Sequence, residues 1–125
     1  KYPGRRALVV DDHSKTAELI KAELEKKGMQ VSVATSADEA TKLIIKPDTR
    51  PELVFLDINM PNINGAQLCR FIKGNEQFSH IKVVFCSSID SAEMAKLAKE
   101  CGADGCVHKE SIFGPEGLKR LLGES

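Results

Sequence analysis

The chain contains no tryptophan and a single tyrosine, and aromatic residues make up only 5% of it. Intrinsic tryptophan fluorescence therefore cannot follow its folding or binding. Net charge is missing too, because eighteen basic residues balance eighteen acidic ones. Without a Lys/Arg tract, wholesale binding to nucleic acid or to a membrane surface is not expected. No apolar run approaches the roughly 20 residues that a membrane-spanning helix needs, and no signal peptide opens the chain. The first residue is Lys1 rather than Met, so we expect a processed or excised piece, which leaves room for partner domains outside it. Cys69, Cys86, Cys101 and Cys106 form no C-x-x-C pair and do not cluster with the histidines at ligand-like spacing. They are expected to be small, mostly buried, reduced thiols of a cytoplasmic protein. No G-x-G-x-x-G or Walker-type loop is present, which leaves nucleotide binding without support.

What remains is the composition of a soluble globular protein, 42% hydrophobic and 29% charged over 125 residues. That length suits one domain over residues 1–125, with its own core. There is no internal repeat, low-complexity segment or linker to divide it.

Apolar runs and amphipathic stretches alternate along the chain. The run Ala7-Leu8-Val9-Val10 is followed by an amphipathic stretch, Ser14 to Lys27, with Ala17, Ile20 and Leu24 on one face. Lys26-Lys27-Gly28 predicts its end, cations at the negative pole and then a residue free to take positive φ. A strand is predicted over Gln30 to Ala34. Ser36-Ala37-Asp38-Glu39 reads as a capping box opening a helix that carries Ala40, Leu43 and Ile44 and stops before Pro47. A strand ending at Asp57 follows, then a loop from Asn59 to Gly65. The next helix carries Leu68, Phe71 and Ile72 and ends near Gly74. A strand over Ile81 to Cys86 leads to Ser87-Ser88, and a helix with Met94, Leu97 and Cys101 on one side ends at Gly102. The last strand is Gly105 to His108, and a short helix from near Pro115 buries Leu118, Leu121 and Leu122. Strand and helix thus alternate five times, which implies right-handed crossovers and a doubly wound α/β domain, a (βα)5 sandwich around a five-stranded parallel sheet.

The chemistry gathers at strand ends. Leu53-Val54-Phe55-Leu56 is a continuous apolar run of the kind buried on both faces of a parallel sheet, and it ends in Asp57. The first run ends in Asp11-Asp12. Open α/β sheets bind ligands at this carboxyl edge. Three carboxylates placed together repel one another and are costly to desolvate, so a divalent cation would give them a reason to be adjacent. Asp11, Asp12 and Asp57 offer the hard oxygen ligands that Mg²⁺ takes. Ser87 after the fourth strand adds a hydroxyl donor, and Lys109 after the fifth adds a mobile point charge. Nucleophile, metal ligands and donors for phosphoryl oxygens are the parts needed to transfer a phosphoryl group to a carboxylate.

In this set of residues, with Met60-Pro61 and Gly65 following Asp57, the chain resembles the receiver domains of two-component response regulators over essentially its whole length. The resemblance implies a flavodoxin-like fold and phosphorylation of Asp57 by a histidine kinase or phosphotransfer protein. It also implies Mg²⁺ held by Asp12, Asp57 and the backbone carbonyl of Asn59, with Asp11 assisting largely through water. Ser87 would hydrogen-bond the phosphoryl group and Lys109 would pair with it, and the domain would catalyse its own phosphorylation and dephosphorylation. A downstream protein or output domain would read the switch. Asn59 and Ile89 occupy positions that in this family influence phosphoryl lifetime. Two positions depart from the pattern. Cys106 stands where the family usually has an aromatic that couples phosphorylation to the output face, and Glu110 stands where proline usually follows the lysine.

These departures keep open a second reading, a receiver-like interaction module that works without phosphorylation. A third, a Mg²⁺-dependent phosphatase with an aspartyl-phosphate intermediate, commonly has a second Asp two residues after its nucleophile, and here that residue is Asn59. His13 can approach the acidic site and is read as a loop residue tuning local charge rather than a metal ligand. His80 and His108 are read as structural or solvated.

Overall fold

The computed structural model of the chain describes residues 5–58, 65–87 and 91–108. Along them run β1 (Arg6–Val10), α1 (Ser14–Glu25), β2 (Gln30–Ala34), α2 (Ala37–Ile45), β3 (Leu53–Asp57), α3 (Gly65–Lys73), β4 (Lys82–Ser87), α4 (Ser91–Cys101) and β5 (Gly105–His108). The helix expected after β5 lies outside the described residues. The five strands form one parallel sheet in the order β2-β1-β3-β4-β5. This is the flavodoxin-like order, in which the chain winds outward in both directions from a switch point between β1 and β3.

Strand alternation sorts the core into two layers. Leu8, Val10, Val54, Leu56, Val83 and Phe85 pack with Ala40 and Ile44 of α2, Leu68, Cys69 and Ile72 of α3, and Met94, Ala98 and Cys101 of α4. The intervening residues Ala7, Val9, Phe55, Val84 and Cys86 face the other way, with Ala17, Ile20 and Leu24 of α1. Every residue of β3 is buried, because a central parallel strand is covered on both faces, and this is why its sequence reads as an unbroken apolar run.

The element ends follow local chemistry. α1 stops two residues before the expected Lys27, with Lys26 at the C-cap, and the chain turns at Gly28 with φ 90°. Gly102 ends α4 in the same left-handed region, at φ 80°. At α2 only half of the capping box forms. Ser36 accepts from the Glu39 backbone N–H (3.1 Å), while the Glu39 carboxylate accepts from the Thr35 hydroxyl instead (3.1 Å). Arg50 then folds back on the far end of α2, donating to the carbonyls of Ile44 and Ile45 (2.8 and 2.9 Å). β4 runs one residue later than expected at both ends. Phe71 is not a core residue. It is 38% exposed and meets Phe78 with ring centroids 5.6 Å apart.

None of the four cysteines is in a disulfide, and only Cys106 is not fully buried. Burial pushes the Cys69 thiol up to about 11, with the neighbouring Cys101 adding to the effect. At neutral pH it is a protonated thiol, and it donates weakly to the Cys101 carbonyl (3.5 Å). These are packing cysteines, as their spacing suggested.

Candidate functional site

The register of the sheet brings the acidic residues together. Val10 of β1 lies opposite Leu56 of β3, so the residues that follow, Asp11 and Asp57, leave adjacent strands at the same level. Neighbouring parallel strands are about 4.8 Å apart, and residues opposite one another share a face. Asp11 remains fixed to the sheet by donating its N–H to the Ala34 carbonyl (3.1 Å). Both side chains are buried, Asp11 to 1% and Asp57 to 3% exposure, and no other charged residue among those described is buried. Two buried aspartates therefore leave neighbouring strands at the topological switch point where ligands of doubly wound sheets bind.

Asp12 and His13 complete the β1–α1 turn. The His13 backbone N–H donates to Asp11 Oδ1 (2.9 Å), an Asx-type contact that holds the turn closed. His13 Nδ1 lies 3.3 Å from Asp12 Oδ1 and 4.0 Å from Asp11 Oδ1. Asp12 Oδ1 is itself shielded from solvent and accepts no hydrogen bond among the described residues. A shielded carboxylate oxygen of this kind costs free energy unless something positive reaches it. One ligand atom from each of Asp11, Asp12 and His13 lies within 4.8 Å of the others. The oxygen-rich cluster is thus able to hold a metal ion.

The other strand ends lie beside this centre. Asp57 pairs with Cys86 of β4, so Ser87 is the next residue along the neighbouring strand, and Ser87 in turn pairs with His108 of β5. Lys109 directly follows His108 in sequence, but it and Asn59 lie outside the described residues. Of the residues expected at the site, the sheet brings together Asp11, Asp12, Asp57 and the backbone of Ser87. His13 stands against the carboxylates, as a loop residue that tunes local charge would.

Gly65 has a role that the strand pattern alone does not reveal. A Cβ there would lie 3.0 Å from the Asp57 carbonyl oxygen and 3.0 Å from Ile58 Cα. The start of α3 therefore packs directly on the backbone of the strand end that carries Asp57.

Residues 7–121 match the response regulator receiver domain family. The chain belongs to that family. Protein PilG of Pseudomonas aeruginosa is 31% identical to this receiver domain over 120 residues, covering 96% of the chain and 84% of PilG. Virulence sensor protein BvgS of Bordetella bronchiseptica is also 31% identical, over 125 residues, but the chain spans only 10% of its length. Among solved structures, the chemotaxis response regulator CheY4 of Vibrio cholerae superposes with a TM-score of 0.82 at 25% identity, covering 96% of this chain and 97% of that one. Receiver domains are phosphoryl-accepting signalling domains that work with histidine kinases and output targets. The observed sheet order is that of a CheY-like receiver domain. No helix among the described residues is long and apolar enough to cross a membrane.

Proposed function

We propose that residues 1–125 form one receiver domain in which Asp57 accepts a phosphoryl group from a histidine kinase or phosphotransfer protein. The observation that carries this reading is the lateral placement of two buried carboxylates, Asp11 and Asp57, at the ends of β1 and β3. A carboxylate oxygen of Asp57 attacks the phosphorus of a donor phosphohistidine. The O–P bond forms as the P–N bond breaks, and the electron pair returns to the imidazole nitrogen. In dephosphorylation, a separate step, water attacks the same phosphorus, and a new O–P bond forms as the Asp57 O–P bond breaks with its electron pair returning to the carboxylate. Inorganic phosphate leaves, with the water's proton passing to solvent.

The residues that hold Mg²⁺ in this reading are Asp12, Asp57 and the Asn59 backbone carbonyl, with Asp11 acting largely through water. The ion would neutralise charge on the phosphoryl oxygens, as divalent metals do in phosphoryl transfer. The oxygen donors and the shielded Asp12 Oδ1 suit such a hard cation. Ser87 hydrogen-bonds the phosphoryl group, and Lys109 pairs with it as a point charge. The added group carries roughly −1.5 to −2 charge and three strong acceptors. Ser87 and the segment behind it are drawn toward it, which biases a two-state arrangement of α4 and β5 that a downstream protein or output domain reads. The balanced charge of the chain argues against direct contact with nucleic acid or membrane, and four cysteines outside any disulfide suit a cytoplasmic location.

One observation favours a second reading. Cys106 is half-buried and packs against the core cluster of α2, α3 and α4, at the position where the family usually places its coupling aromatic. A thiol cannot perform the aromatic rotation, and the alternative is an interaction module that works without phosphorylation. An amide NMR titration with Mg²⁺ and then beryllofluoride, which mimics an aspartyl phosphate, separates the two. Phosphoryl switching predicts shifts at Asp11, Asp12 and Asp57 that spread from Ser87 to Cys106 and are absent in Asp57→Asn. Shifts confined to the acidic site would mean chemistry uncoupled from that face, and no shifts would support the phosphorylation-independent module.

A further inference from the structure

His13 has no task in the phosphoryl transfer described above, yet it stands against the acidic pair. It occupies the N-cap of α1, with φ −92° and ψ 99°, and its side chain makes no capping hydrogen bond. Helices favour Ser, Thr, Asp or Asn at that position, because a short side-chain oxygen accepts from first-turn N–H groups. The imidazole serves the helix in no such way. Its Nδ1 instead lies 3.3 Å from Asp12 Oδ1 and 4.0 Å from Asp11 Oδ1. Two donors each about 2.1 Å from one ion sit roughly 3 to 4 Å apart, so these separations, which are also those of a His–Asp ion pair, fit atoms that share a metal. The turn is held in place by the bond from the His13 N–H to Asp11 Oδ1 (2.9 Å). The imidazole itself is 77% exposed and can rotate into a ligating position without disturbing packed neighbours.

We propose that His13 is a nitrogen ligand for divalent transition ions such as Zn²⁺ and Ni²⁺ at the Asp11–Asp12 site, so that this receiver domain discriminates among metals there. The inference rests on the metal-site reading given under the proposed function. Mg²⁺ takes oxygen ligands, retains several waters and gains little from an imidazole. Zn²⁺ and Ni²⁺ bind imidazole well and stand above the harder divalent ions in affinity for mixed nitrogen and oxygen sites. An ion held by His13, Asp12 and Asp11 occupies carboxylates that Mg²⁺ also needs, so the two classes of ion compete. The opposing account makes the imidazole only a hydrogen-bond partner of Asp12, in which case it obstructs every metal alike.

The test is calorimetric titration of the full chain and of His13→Ala with Zn²⁺ and, separately, with Mg²⁺, accompanied by imidazole ¹⁵N and amide NMR. The proposal expects His13→Ala to weaken Zn²⁺ binding about tenfold or more, with Mg²⁺ affinity nearly unchanged, and expects Zn²⁺ to shift the His13 Nδ1 resonance. Unchanged Zn²⁺ affinity in the variant, or affinities for both ions that rise together, would overturn it. If Mg²⁺ moves none of the Asp11, Asp12 and Asp57 amides while Zn²⁺ still shifts His13 Nδ1, the Mg²⁺ reading fails and the imidazole ligand stands. If neither ion moves those amides, both fail.

Discussion

Gly65 begins α3 so close to the end of β3 that a Cβ there would meet the Asp57 carbonyl oxygen and Ile58 Cα at 3.0 Å and Ile58 Cγ2 at 3.2 Å. Two of those three atoms belong to the backbone, which yields less readily than a side-chain tip. Gly65→Ala is therefore expected to lower stability by about 1–3 kcal/mol and to displace the strand end that carries Asp57. Urea denaturation checks the first effect, and the Mg²⁺-dependent amide shift of Asp57 checks the second. An unchanged midpoint with an unchanged shift would remove the close-packing argument. At this scale, legibility depended on whether a residue broke a local pattern. Asp57 and the Asp11-Asp12 pair were visible because each carboxylate interrupts an apolar run. The contact made by Gly65 was not visible, because it exists only once α3 has folded back on β3. The Cys69 thiol, bonded to a carbonyl 32 residues away, was hidden for the same reason.

Elements were read best where their own ends carry the signal. Ser36 was legible as the start of α2, and its hydroxyl does accept from the Glu39 N–H. Ser36→Ala is expected to cost about 1 kcal/mol, read as a lowered urea midpoint, since the reciprocal half of the capping box is absent and cannot compensate. Wild-type stability in that variant would mean that Arg50 and the core contacts alone fix α2. Other features of the elements depend on distant partners. Lys73, at the end of α3, donates to the carbonyls of Ser79 and Ile81 (3.1 and 2.7 Å) and pairs with Asp104 at 2.6 Å. Asp104 in turn accepts from the Val83 N–H (2.9 Å). This network joins α3, the entry to β4 and the turn before β5, and periodicity within one helix cannot announce it. Phe71 misled because its helical position fits the buried stripe. A second ring, Phe78, holds it at the rim instead.

At the scale of the whole molecule, alternation of strand and helix was enough to imply a parallel sheet covered on both faces. The order of the strands is less accessible, since alternation is equally compatible with other windings. The resemblance implied a flavodoxin-like fold without naming an order, and the structure shows β2-β1-β3-β4-β5, the order of that fold. Its functional consequence is geometric. Only with β1 beside β3 do the two apolar runs deliver Asp11 and Asp57 to the same level of the same edge, and only with β4 beyond β3 does Ser87 follow next to them. The central claim is that this edge makes Asp57 a phosphoacceptor. The most direct test is the intact mass of the chain after incubation with acetyl phosphate and Mg²⁺, for the wild type and for Asp57→Asn. The account predicts one phosphoryl group per wild-type chain, dependent on Mg²⁺, and none on the variant, whose circular dichroism stays unchanged. Equal labelling of Asp57→Asn, or a wild-type chain that takes up no phosphoryl group from this donor, would contradict it.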